Sequence, residues 1–368
     1  MPPHPHRPPQ LAWQVFRGSD AVRRGLLSRH HLRGASWVRL RQDVYGDARL
    51  DRDHALACRA VLLRMPPGTL IAGPSAAYLH GVEHAADFTD DVHVLLPAMV
   101  RADSHPGVRV HHAPMISTRS GLLVPAGAAP TGRGLPRDRP PDPTMPPIQA
   151  TPPDRNRPTD RIRRQNQSGP PDRTKPPNQS GPPDRTKPPD PNGPPPRTAP
   201  AVCAWETAVW ADPVRAVGII DGLLRLGAVS QSGLATEAAR NTGRPGGRRA
   251  SWVFSLTDGC AQSPPESHLR VRLMFAGLPQ PVAQHPVRVS TGVVLHPDLA
   301  WPEFRVAVEY DGRWHLDADR MHRDRRRLNQ LVEAGWLVLH VTGRRLRSEF
   351  PPLVREIRAA LVARGWRP

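Results

Sequence analysis

Lysine is almost missing from this chain of 368 residues: of 51 Lys plus Arg, only Lys175 and Lys187 are lysines. The formal net charge of +18 is therefore carried by arginine, whose guanidinium binds phosphate bidentately and does not deprotonate. Cysteine is scarce as well. Cys58, Cys203 and Cys260 lie too far apart for a disulfide framework or a zinc-ligand spacing, which fits a reducing cytosol. No apolar run approaches the ~20 residues of a membrane span. Met1 to Gln10 is rich in Pro and His without an apolar stretch, so it does not read as a secretory signal.

What is present in excess is proline. Of 47 prolines, 24 fall between Pro125 and Pro200. Residues 125–200 therefore read as a disordered linker, and they contain a repeat: NQSGPPDRTKPP at 166–177 recurs letter for letter at 178–189. A unit with no apolar face cannot bury a core, so the repeat predicts an extended spacer rather than a solenoid. The remaining organisation predicts a disordered arm over 1–10, a globular segment over 11–124, a helical connecting segment over 201–259 and a dense α/β domain over 260–368. Formal charge across 1–124, 125–200, 201–259 and 260–368 is +5, +6, +1 and +6.

In the N-terminal segment Ser19 is placed to cap a helix through Leu26, and Ser28 a second helix through Leu32 that stops at Gly34. Trp37 to Tyr45 alternates apolar and charged residues as a β-hairpin does. Two tightly joined helices and a hairpin predict a winged helix-turn-helix, with Arg29, His30 and Arg33 facing bases and Arg39 and Arg41 meeting phosphate. The plainer alternative is a small helical domain with a solvated basic face. The run FRGSDAVRRGLLSRHHLRGASWVRLRQDVYGD resembles the winged-helix start of the abortive-infection type IV antitoxin regulators. LIAGPSAAYLHGV and DVHVLLP are similar to the segment that follows it there. The resemblance implies DNA reading. Ser75, His80 and His84 read as a capped helix with histidines near its end.

The C-terminal segment predicts helix 266–275, strands at 282–289, 293–301 and 304–310, helix 319–334, a strand at 336–341 and helix 352–364. A tight connection at Pro302-Glu303 places opposite each other residues whose numbers sum to about 607. Asp298 then faces Glu309, and Asp311 shares their side of the sheet. Clustered carboxylates repel without a cation or arginine partner, and hard oxygen donors in this arrangement suit Mg²⁺ or Mn²⁺. Glu266 on the preceding helix is near enough to join. Arg320, Arg323 and Arg327 share one face of helix 319–334, either toward phosphate or toward solvent. Trp301, Trp314 and Trp336 read as core residues in preference to base-stacking ones.

Pro297-Asp298 and Glu309-Tyr310-Asp311, in the order α-β-β-β-α-β, resemble the PD-(D/E)xK nuclease superfamily. More narrowly, PPESHLR, HPDLAWPEFRVAVEYDGRWH and RDRRRLNQLVEAGWLVLHVT resemble an actinobacterial family of unknown function related to very-short-patch-repair endonucleases. The resemblance implies a restriction-endonuclease-like mixed sheet and a metal-dependent DNA endonuclease of repair or defence. Asp298, Glu309 and Asp311 would hold the ion, Glu266 would assist, and His315 would handle protons. Asp311 stands where the superfamily has lysine, which leaves His315 as the expected titrating group; the alternative for His315 is a supporting or surface residue after a β-turn. The rival expectation is a non-catalytic, antitoxin-like DNA-binding regulator that keeps the nuclease fold for binding alone. Either way the expected partner is DNA in the cytoplasm, at the nucleoid, with no nucleotide cofactor.

Overall fold

In a computed structural model of the chain, residues 6–113, 115–117, 123–125, 193–311 and 318–368 are described. The chain is mixed α/β, with several small sheets. The first contains β1 (Val15–Arg17), β2 (Trp37–Arg41) and β3 (Val44–Asp47), with α1 (Gly18–Arg23) between β1 and β2. One face of this sheet packs Phe16 and Trp37 on Ala21 and Leu27. The other packs Val15 and Val44 on Leu56 and Ala60 of α2 (His54–Leu62).

Several expectations for this end are corrected. Of the arm expected over 1–10, residues 1–5 lie outside the described residues, while over 6–10 Nε2 of His6 bonds the Leu26 carbonyl at 3.2 Å and Arg7 lies 3.5 Å from Asp47. Ser19 is not a cap: it lies inside α1, and its hydroxyl and N–H both go to Asp43. The helix expected after Ser28 is a single 3₁₀ turn, His31–Arg33. Leu32 is the one apolar residue between Ser28 and Gly34, too little burial to offset the cost of nucleating a helix. Ser28 does accept the His31 N–H at 3.1 Å.

A second sheet follows, in the order β4 (Leu70–Ile71), β5 (Val92–Pro97), β6 (Val108–Ala113), with α3 (Gly73–Leu79) after β4. Ser75 does not cap α3 but is buried within it, bonded to Nε2 of His54 at 2.8 Å. β7 (Met115–Ser117) and β8 (Leu123–Pro125) form a hairpin. The expected linker falls mostly on 126–192, outside the described residues, but its end at 193–200 is part of the fold. Ile71 N–H donates to Pro196 and Thr198 N–H to Ile71, each at 2.9 Å.

Four helices come next: α4 (Pro200–Trp210), α5 (Pro213–Arg225), α6 (Gln231–Arg240) and α7 (Gly247–Ser255). The sequence reads the Gly/Arg-rich run at 243–249 as a loop, but α7 takes up its last residues. These helices share one apolar core with Cys58, Ile71, Ala77 and Val94, so 201–259 packs on the N-terminal segment. α5 is also tied to α8 (Pro264–Phe275). Asp221 accepts from Arg270 at 2.9 Å and from Ser267 at 2.7 Å, all three buried.

The C-terminal elements are β9 (Val282–Ala283), β10 (Val287–Arg288), β11 (Val294–Leu295), β12 (Leu299–Trp301), β13 (Val306–Asp311), α9 (Ala318–Glu333), β14 (Leu337–Thr342), α10 (Gly343–Ser348) and α11 (Phe350–Ala363). The sheet runs β14-β13-β12-β9, antiparallel except for the parallel pair β13–β14. The expected strand 282–289 is split into β9 and β10, and 293–301 into β11 and β12. Side-chain alternation then sorts the two faces. Leu299, Trp301, Val306 and Val308 pack on α8 and α11. Ala300 and Ala307 face the other way, and their small size lets Leu331 of α9 sit against the sheet. Trp301 and Trp336 are buried, as core residues should be, while Trp314 lies outside the described residues. Gly335 closes α9 at φ 85°, a left-handed turn that suits glycine.

Candidate functional site

β12 pairs with β13 at Leu299↔Val308, Ala300↔Ala307 and Trp301↔Val306, each pair summing to 607. Continued by one residue, that register sets Asp298 opposite Glu309. The backbone bears this out locally, since Tyr310 N–H donates to Oδ2 of Asp298 at 2.7 Å. On one flank Leu299 pairs with Ala283, which brings Gln284 beside Asp298. On the other, Glu309 pairs with His340. A polar row, Gln284–Asp298–Glu309–His340, thus crosses all four strands on the face that carries Ala300 and Ala307.

Residues from two helices and the end of β13 complete a cavity of about 420 Å³ around this row, with Glu266, Arg327 and Asp311 among its lining. Glu266 sits in the first turn of α8, after Pro264-Pro265. Its carboxylate accepts from the Gln262 N–H at 2.8 Å and the Ser263 hydroxyl at 2.7 Å. Glu309 accepts from Arg327 of α9 at 3.1 Å, and the same guanidinium reaches the His296 carbonyl. Asp311, exposed at the strand end, meets Nδ1 of His340 at 3.2 Å.

Electrostatics follow from burial. Desolvation pushes the Glu309 carboxyl up to about 6 despite the Arg327 charge beside it. Desolvation also raises Asp298, against the Tyr310 and Gln284 hydrogen bonds that favour its charged form. Glu266 is raised by burial and by the charge on Asp298. Burying like charges together is costly, and such perturbed groups concentrate where chemistry is done. As a donor set these side chains are all hard oxygens, the kind a Mg²⁺ or Mn²⁺ ion takes. Their partners, however, are spread out: Gln284 on Asp298, Arg327 on Glu309, His340 on Asp311. Among the described residues no three His, Cys, Asp or Glu side chains are grouped as a metal ion would need.

The sequence-predicted residues are thus distributed unevenly. Glu266, Asp298, Glu309 and Asp311 line one cavity. Arg327, expected on a phosphate-facing surface, turns inward onto Glu309 because α9 crosses the sheet at that point. His315 lies outside the described residues, as do the side chains of Arg320 and Arg323. The expectation that His315 is the one histidine near the acids is corrected, because His340 and His296 also line the cavity. Sequence reasoning missed Gln284 and His340. Extending the 607 register across both flanking strands would have reached them, had the β9–β12 and parallel β13–β14 pairings been known.

At the N-terminal end Arg29, His30, Arg33 and Arg39 are exposed, with no acidic partner for the three arginines among the described residues. Arg41 is not on that surface. It donates to the Gly107 carbonyl at 2.8 Å, and burial, with Arg64 nearby, lowers its pKa. A bulge between Arg39 and Arg41 turns the strand and causes this difference.

Comparison with known proteins gives two curated relatives, the uncharacterized proteins MT2308 and Rv2248 of two Mycobacterium tuberculosis strains, CDC 1551 / Oshkosh and H37Rv. Each is 34% identical over 151 residues, 41% of this chain and 56% of the relative. The chain therefore spans a little over half the length of the curated relatives it matches. No family model and no solved structure matches it. Among the described residues no helix is long and apolar enough to cross a membrane.

Proposed function

We propose that the chain is a DNA phosphodiesterase of restriction-endonuclease-like fold, acting as an endonuclease at the cavity bounded by Glu266, Asp298, Glu309 and Asp311. The observation that carries this reading is the polar row itself. Two partly desolvated carboxylates stand opposite each other on the two central strands of a four-stranded mixed sheet, Asp298 just before β12 and Glu309 in β13, with a third from α8 and an arginine-bearing helix alongside. The element order α-β-β-β-α-β supports the same reading.

Asp298 and Glu309 would hold Mg²⁺ or Mn²⁺, with Glu266 and Asp311 at either side. When bound, such an ion acidifies a water and offsets charge gathering on the phosphate. The protein's own groups do the rest. Arg327 can exchange Glu309 for an incoming phosphate, since guanidinium takes either bidentately; Arg320 and Arg323, whose side chains lie outside the described residues, are the arginines the sequence places on the same helix face for phosphate. His340, held at Nδ1 by Asp311, or His315 moves a proton. The exposed Arg29, His30, Arg33 and Arg39 would add DNA contacts from the segment that resembles winged-helix regulators, placing the protein at the nucleoid.

Plasmid nicking with Mg²⁺ or Mn²⁺ tests this. Wild-type protein should nick and Asp298→Ala should not; equal cleavage by both would sink the site. A second reading, a DNA-binding regulator without catalysis, is favoured by one observation: Asp298, Glu309 and Asp311 each have a protein partner. It predicts no rise in melting temperature with Mn²⁺. A rise that disappears in Glu309→Ala speaks for the hydrolase.

A further inference from the structure

A second cavity, of about 320 Å³, opens in the N-terminal segment where β2, the end of α2 and the turn before β6 meet. The turn is closed by His105 and Val108, whose N–H groups donate to each other's carbonyls at 3.2 and 2.8 Å. Gly107 makes it possible at φ 81°, a conformation that suits glycine. The same glycine fixes Arg41. Its carbonyl accepts from Nη2 of Arg41 at 2.8 Å, and a Cβ at this position would lie 2.9 Å from that nitrogen.

Arg64 enters the cavity from the end of α2. Its Nη1 reaches the carbonyl and Oε1 of Gln42 at 3.3 and 3.4 Å. Nε and Nη1 of Arg41, and Nε and Nη2 of Arg64, have no acceptor among the described residues. No carboxylate of the described residues lines the space. Asp91, which acts on Arg41 from further off, is engaged by the Gly107 N–H at 2.9 Å and by Nε of Arg109 at 2.7 Å. Desolvation and then the Arg64 charge lower the pKa of Arg41. Arginine nonetheless stays protonated in proteins. Two cations thus face one recess without a counter-charge, an arrangement that is unfavourable until an anion enters.

The remaining lining selects the anion. His105 adds a polar rim, and Leu40, Val61 and Met65 make an apolar wall. One guanidinium fork already occupies both oxygens of a carboxylate. A phosphate monoester brings up to two charges and three terminal oxygens, enough for both forks. A backbone phosphate of DNA is a diester with a single charge and matches less well. We propose that this cavity binds the dianion of a phosphate monoester bearing a small apolar group, with the phosphate shared by Arg41 and Arg64 and the apolar group against Val61 and Met65. The site is separate from the acid row and does not rest on the endonuclease reading.

Isothermal titration calorimetry of the full chain with phenyl phosphate tests this, well above the monoester's second pKa of about 6. Wild-type protein should bind phenyl phosphate, and methyl phenyl phosphate, the singly charged diester, about tenfold or more weakly. Arg64 is exposed, so Arg64→Gln should leave the melting temperature unchanged while weakening phenyl phosphate about tenfold or more. Arg52→Gln, at an exposed arginine outside the cavity, should bind as wild type does. No uptake of phenyl phosphate by wild type, or equal loss in Arg52→Gln and Arg64→Gln, overturns the proposal. Equal affinity for monoester and diester, with duplex DNA binding weakened in Arg64→Gln as much as phenyl phosphate is, overturns it in favour of a backbone contact.

Discussion

Arg327 and Glu309 meet with Nη2 3.1 Å from Oε1, on the face of the sheet against which Leu331 of α9 packs with Ala300 and Ala307. Nε of the same arginine is buried without a partner among the described residues. The arginine that the sequence presents as one of a surface row is therefore the cation nearest a carboxyl that burial holds at about 6.

Removing that cation should shift the titration of Glu309 further up. In Arg327→Gln the attraction that favours the carboxylate is lost while most of the desolvation stays, so the midpoint rises above about 6. Carbon-13 NMR of the glutamate carboxyl reads this directly. A midpoint that stays put or falls would show that the pair is not coupled.

Glu206 should make stability depend on pH. It is buried in α4 and accepts from the Gly73 N–H and the Thr198 hydroxyl, each at 2.8 Å, and burial pushes it up to about 8. Between the unfolded value near ~4.3 and that folded value, the folded chain keeps a proton the unfolded chain has lost. The stabilising proton is thus present at low pH, and stability falls as pH rises through this window, by at most about 1.4 kcal/mol per pH unit. Glu206→Gln keeps the acceptor oxygen and cannot ionise. Urea unfolding at pH 5 and pH 8 should therefore show a larger loss in wild type than in the variant; parallel losses refute the assignment.

Arg270 and Asp221 form a wholly enclosed ion pair, with the guanidinium also donating to the Leu256 carbonyl. Arg270→Met leaves Asp221 buried without its cation and should cost about 3–5 kcal/mol of folding stability. A loss below about 1 kcal/mol in denaturant titration would mean that water or a rearranged partner replaces the arginine.

The N-terminal arginines predict a salt signature. If Arg29, Arg33 and Arg39 each neutralise a phosphate, the triple alanine variant should flatten the slope of log K against log salt by about 2.7, roughly 0.9 per contact. Arg41→Ala should barely move that slope, because Arg41 is engaged with Gly107; it should lower the melting temperature instead. Fluorescence anisotropy on one duplex across salt concentrations separates the two. An unchanged slope in the triple variant removes this surface from the DNA-binding role.

The pairing of Asp298 with Glu309 was legible because a tight turn at Pro302-Glu303 lets two adjacent strands be aligned by counting. The core positions Leu299, Trp301, Val306 and Val308 were legible for the same local reason: a strand exposes alternate residues to alternate faces. The Ser28 helix was misread because capping residues announce a helix start without supplying the apolar face that sustains one. Arg41 was misread because strand alternation cannot anticipate a bulge.

The chain's own order thus determined the elements of the C-terminal domain, the faces of its central strands and the identity of its acids, all set by neighbours a few residues apart. Only the tertiary structure decided that Gln284 and His340 extend the row on either side, that Arg327 turns inward, and that α4–α7 share a core with residues near Cys58 and Ile71. Those outcomes depend on contacts between residues distant in the chain. Such contacts are selected by packing and burial of the whole molecule, not by any local pattern.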